Sequence, residues 1–198
     1  SRIWYATSFG TTMATPTGTQ AVDRASTLLV TVLQADRPVP FAELAASAER
    51  RGNAVQVGWS LRPRVLEALR SGDAARAIDI LTHAMPALHA APDALIKIDA
   101  HGLLALAQAR AGYPAAARAS IERTNTLVEP RNPPVTYPRH LGLGAVAEAA
   151  LLLLERASES GAPREERREL SRIAALACRN LHRYRRVVRV GAPAAWRY

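Results

Sequence analysis

Arg70 to Ala84 reads RSGDAARAIDILTHA, and Arg110 to Thr124 reads RAGYPAAARASIERT. In each stretch a glycine (Gly72, Gly112) is followed five positions on by a small residue (Ala77, Ala117) and nine positions on by an aliphatic one (Leu81, Ile121). A glycine just past a helix adopts the left-handed backbone that ends it. The small residue lets paired helices approach closely, and the aliphatic fills the layer between neighbouring pairs. Two such units predict antiparallel helix pairs stacked in series.

The surrounding punctuation extends this reading in both directions. A helix through Val65, Leu66 and Leu69 ends at Ser71-Gly72, and Asp73 is placed to cap the next, through Ala77, Ile78 and Leu81, which is expected to stop before Pro86. Pro92-Asp93 opens a helix through Leu95, Ile98, Leu103, Leu104 and Leu106 that Gly112 ends, and Pro114 sits in the first turn of its successor. After the connector EPRNPPVTYPRH, helices are expected over 141–156 and from about Arg164 to Val188. Asn53 to Trp59 (NAVQVGW) is the best strand candidate, since Val55 and Val57 alternate with Gln56 and Gly58. The predicted fold class is all-α.

Both glycine-centred units resemble tetratricopeptide repeats, although their glycines stand 40 residues apart where that family repeats about every 34. YPRHLGLGAVAEAALLLLERA (137–157) and ACRNLHRYRRVVRVGAPAAWRY (177–198) also resemble the helical-repeat region of large adenylate-cyclase-like or ATPase-type bacterial regulators. That resemblance covers roughly Val65 to Tyr198 and implies a non-catalytic, protein-binding segment of a regulator.

A different resemblance lies upstream. Gly18 to Ser47, GTQAVDRASTLLVTVLQADRPVPFAELAAS, resembles the start of the helix-turn-helix domain of IclR-type transcription regulators. In that family a Gly-Leu turn and a Ser-Thr-containing recognition helix follow, the element that enters the major groove. Here the chain continues as AERRGNAVQVGWSLRPR, so the resemblance implies a partial helix-turn-helix without its reading element. AERRGNAVQVG is then a candidate wing-leading segment. The expected organisation is a leader over 1–13, a partial helix-turn-helix over 14–59 and a tetratricopeptide-like helical domain over 60–198.

The net charge of +9 is carried almost wholly by arginine, with Lys97 the only lysine. Such a balance favours nucleic acid, an acidic protein face or an anionic surface as partner, and it equally describes a solvated basic exterior. With one cysteine, Cys178, no internal disulfide is possible. The longest apolar run, Ala145 to Leu154, is too short to span a membrane. A cytoplasmic protein is expected.

Chemistry-bearing constellations are few. His83, His89, His101, His140 and His182 are dispersed without metal-ligand spacing, and Cys178 and His182 share one helix face with no third group. Gly142-Leu143-Gly144 lacks the lysine of a phosphate loop and reads as a helix start. No enzyme activity, cofactor or metal is expected. Along the last helix, Leu170, Ile173, Ala174, Ala177, Leu181, Tyr184 and Val188 form one apolar stripe, with Arg168, Arg172, Arg179, Arg183 and Arg186 opposite. The candidate contacts for an acidic partner or nucleic acid are therefore Arg24, Arg37, Arg50, Arg51, Arg172, Arg179, Arg183 and Arg186. Three functions compete: a scaffold binding a protein with an acidic face, an IclR-type DNA-binding regulator, and a fusion of two gene fragments without a function as a unit.

Overall fold

A computed structural model describes Glu43, Ala46 and residues 54–90, 94–128 and 139–187. The chain divides between Pro40 and Phe41 into two units, and the described residues belong to the second. Glu43 and Ala46 are helical. The remainder of the helix-turn-helix resemblance, the leader, and Arg24, Arg37, Arg50 and Arg51 lie outside the described residues.

Among the described residues from Ala54 on, six helices follow in order: α1 (Ala54–Arg70), α2 (Ala74–Ala90), α3 (Ala94–Arg110), α4 (Pro114–Leu127), α5 (Arg139–Glu159) and α6 (Arg164–Val187). The fold is all-α, as the sequence predicts. Each successive pair, α1/α2, α3/α4 and α5/α6, is joined by the same turn. Gly72, Gly112 and Gly161 have φ of 80°, 83° and 67°. The next amide in each turn (Asp73, Tyr113, Ala162) donates 2.9 Å back to the carbonyl of Ala68, Gln108 or Ala157. This six-to-one bond closes a helix end around a left-handed glycine. Asp73 also caps α2, its Oδ1 accepting from the Arg76 amide at 2.9 Å.

Two expectations are corrected. Residues 54–59, the strand and wing candidate, are the first turns of α1. The spacing that decides this is Val57, Leu61, Val65, Ala68 and Leu69, a helical stripe of buried residues that continues from Val57 to the end of α1. The Val55/Val57 alternation is too short to compete with it. α2 likewise does not stop before Pro86 but runs through it to Ala90. Pro86 removes one backbone donor, and the burial of Ala84 and Leu88 on either side holds the helix together.

The pairs are held to one another by α3. Every residue from Ile98 to Ala107 is buried, the pattern of a helix enclosed on all sides. It packs most extensively against α5 and α4, while α2 supplies most of its contact with the first pair. Backbones meet where α3 crosses α5. A Cβ on Gly102 would lie 2.3 Å from the Gly142 carbonyl oxygen, and one on Gly142 would lie 2.7 Å from the Asp99 Cα. At this crossing the buried Asp99 accepts the Gly142 amide on Oδ1 at 3.0 Å. Its other oxygen is paired with Arg62 of α1. One carboxylate thus serves the first turn of α5, where amides have no partner of their own, and neutralises a guanidinium from α1.

A second linkage recurs between pairs. Arg110, the last residue of α3, donates to the Leu69 carbonyl of α1 at 2.9 Å, and Arg156 of α5 donates to the Ala109 carbonyl of α3. Both acceptors stand three residues before their turn glycine. An arginine from the next pair therefore covers the same terminal carbonyl each time, where the helix dipole favours a cation.

Gly142→Ala is expected to destabilise the protein by roughly 1–3 kcal/mol, since backbone must shift to admit the methyl. Gly144→Ala, whose Cβ would meet nothing within 4 Å, is expected to stabilise it by about 0.5–1 kcal/mol. Asp99→Ala leaves the Arg62 charge and the Gly142 amide without their acceptor and should cost about 3 kcal/mol or more. Denaturant unfolding of the three variants checks the order.

Candidate functional site

The arginines of α6 are positioned by what the opposite side of that helix must do. Leu170, Ala174, Ala177, Leu181 and Tyr184 are buried, mainly against α5. At 100° per residue they occupy roughly 80° of the helix circumference. Arg168, Arg172, Arg179, Arg183 and Arg186 are exposed and fall within roughly 60° of arc on the other side. Burial of the apolar stripe leaves the opposite side to solvent, and there the sequence sets these five arginines in one row, about 27 Å long from Arg168 to Arg186. Ile173 is half-buried, and Val188 lies outside the described residues.

Arg172 is bridged to Glu169 at 2.5 Å, an exposed contact within the helix. Among the described residues no carboxylate pairs with Arg168, Arg179, Arg183 or Arg186. Other arginines are committed to the fold: Arg62 to Asp99, Arg110 to Glu148 and Arg118 to Glu166 at 2.7 Å. Leu176 is 39% exposed and lies beside the arginine row. Sequence reading finds the arginines but passes over Leu176, because a leucine in a helix is ordinarily assigned to the core.

Two polar links tie α6 to α4. One is the Arg118–Glu166 pair; the other is the Asn180 amide donating to Asn125 Oδ1 at 3.2 Å. A cleft of about 320 Å³ opens between the second and third turns, with Arg118, Arg156, Ser160 and Glu166 in its wall. Its two guanidiniums are already engaged, by Glu166 and by the Ala109 carbonyl.

The candidate Cys178–His182 pair sits half-buried on α6. Burial pushes the Cys178 thiol up from its ordinary value, away from the thiolate that a nucleophile or metal ligand requires. Among the described residues no group of three or more His, Cys, Asp or Glu is placed to hold a metal ion. No described helix is long and apolar enough to cross a membrane.

The structure does bring together two histidines that the sequence leaves apart. His89, in the last turn of α2, and His101 of α3 meet with their Nε2 atoms 2.9 Å apart and ring centroids at 5.1 Å. His101 Nδ1 is buried without a hydrogen-bond partner. A buried N–H left unpaired costs more than an unpaired ring lone pair, so the arrangement selects the tautomer in which His101 donates from Nε2 and His89 accepts. Burial first, then His89 and Arg123, lower the His101 pKa from 6.5 to about 4.

The sign follows from proton binding. Between those two values the unfolded chain binds a proton at His101 that the folded chain refuses. His101 therefore favours the fold fully above pH ~6.5, and its contribution falls as the pH drops toward ~4. Between about pH 7.5 and pH 4.5 the loss should be about 2–3 kcal/mol, and His101→Phe should remove that part of the pH dependence. Denaturant unfolding of parent and variant at the two pH values provides the comparison. Comparison with protein-family models, with curated proteins and with solved structures returned no match to this chain.

Proposed function

We propose that this chain is a non-catalytic helical-repeat scaffold that binds another protein through an acidic face, as a segment of a bacterial signalling or transcription regulator. The observation that carries this reading is the repetition of one construction. A helix pair closed by a left-handed glycine occurs three times, and the same terminal carbonyl is covered by an arginine from the following pair. Stacked pairs of this kind present extended faces to a partner rather than a single enclosed pocket. The α6 arginines Arg168, Arg179, Arg183 and Arg186, which no carboxylate among the described residues pairs with, make acidic proteins the favoured class.

In-cell cross-linking of the full-length chain, followed by mass spectrometry, is expected to recover acidic proteins joined to the helices between Ala54 and Val187. The rival DNA-binding regulator predicts a different result. Against a panel of duplexes at about 150 mM salt, the scaffold reading expects only weak binding that is indifferent to sequence. A duplex bound about 10³-fold more tightly than the rest would overturn it in favour of a DNA reader.

A further inference from the structure

The outer face of α6 carries a pattern more specific than positive charge. Arg172, Arg179 and Arg186 recur every seven residues, two turns of helix and about 10.5 Å of rise. Arg168 and Arg183 fall on the same arc, and the exposed Leu176 lies at its edge between Arg172 and Arg179. From Leu170 to Val187 the helix contains no Asp or Glu.

Resting on the scaffold reading above, we propose that this row is the docking surface for an acidic amphipathic helix of a partner protein. The partner helix lies along α6, its carboxylates at seven-residue spacing facing Arg172, Arg179 and Arg186, and an apolar side chain covers Leu176.

Charge complementarity and shape select this occupant. A row with a seven-residue repeat matches another helix, because two helices lying side by side keep i, i+7 positions in register over several turns. The row is straight for about 27 Å. A duplex backbone winds away from a straight line, so few of these positions would meet phosphates at once. A bilayer-surface helix leaves its apolar face to the lipid, whereas here that face is covered by α5. Leu176 gives a protein partner an apolar contact that a phosphate backbone would not use.

The test uses the full-length chain and a synthetic helical peptide of about three heptads, with Glu at two positions flanking a Leu seam. A Gln-for-Glu peptide and a mixed-sequence duplex of similar length serve as controls. Fluorescence anisotropy should show binding of the Glu peptide that weakens with salt and little binding of the Gln peptide. The reversal R172E/R179E/R186E should weaken the Glu peptide about 10-fold or more, consistent with several exposed pairs acting together, and should gain affinity for a Lys version. That gain also certifies that the variant is folded. The matched reversal R64E/R70E/R76E, away from the row, should change binding less than about 3-fold.

Equal weakening by both reversals would mean net charge alone is read, and would overturn the proposal. So would a duplex that binds more tightly than the Glu peptide and is lost with the α6 arginines. Failure of the Glu peptide to bind, or binding indifferent to the α6 reversal, would remove this docking surface. The cross-linking experiment decides the scaffold reading separately, since partners joined only to other helices would leave that reading standing.

Discussion

Asp99 is a carboxylate in the middle of a helix whose neighbours are buried on every side, and the arrangement of the pairs follows from how that charge is satisfied. An ionised group removed from water is tolerated only when paired and hydrogen-bonded. Here one oxygen takes the Arg62 guanidinium from α1 and the other takes the Gly142 amide from α5. The amide can reach only because Gly102 and Gly142 leave no side chain between two backbones. The charge, the two glycines and the first turn of α5 are thus one interdependent unit, and it sets where three helices cross.

Two groups of described arginines differ in their physics. Arg62, Arg110, Arg118 and Arg156 reach across helix boundaries to carboxylates or terminal carbonyls, and their charge is consumed in holding pairs together. Arg168, Arg179, Arg183 and Arg186 stand in water with no carboxylate partner among the described residues. The net charge of +9 therefore mixes arginines that hold helices together with arginines, such as the α6 row, that remain exposed to a partner. The His89–His101 contact is a further case of polar groups spent internally, at the junction of α2 and α3.

Helix order and most helix limits are legible in the chain because glycine, proline and Asp73 punctuate it at turns with strict backbone demands. Residues 54–59 mislead because two valines separated by one residue satisfy a strand alternation and a helix equally over so short a window. The helical stripe from Val57 to Leu69 decides between them once the window is lengthened, and the close approach of Ile96 to Gly58 agrees with it. The third turn passes as a plain connector since Glu166 occupies the place held by Ala77 and Ala117, although Leu170 keeps the aliphatic position. Asp99 is detectable in principle as the lone acid of the stretch from Leu95 to Ala107, whose other residues are apolar apart from Lys97 and His101. Its partners were not, because they lie 37 and 43 residues away. The α6 row is legible from periodicity alone, whereas the position of Leu176 beside it needs the observed packing.

The repeated glycine turn also governs the order in which the molecule can assemble. Each turn sets a helix beside its own partner within a few residues, so contacts inside a pair are short-range in sequence. The bonds from Asp99, Arg110 and Arg156 close much longer loops and reward the chain only after the pairs exist. Local pairing thus carries the smaller loop-closure cost, and registration of the pairs against α3 the larger. A strained crossing at Gly102 and Gly142 would be felt mainly in that registration.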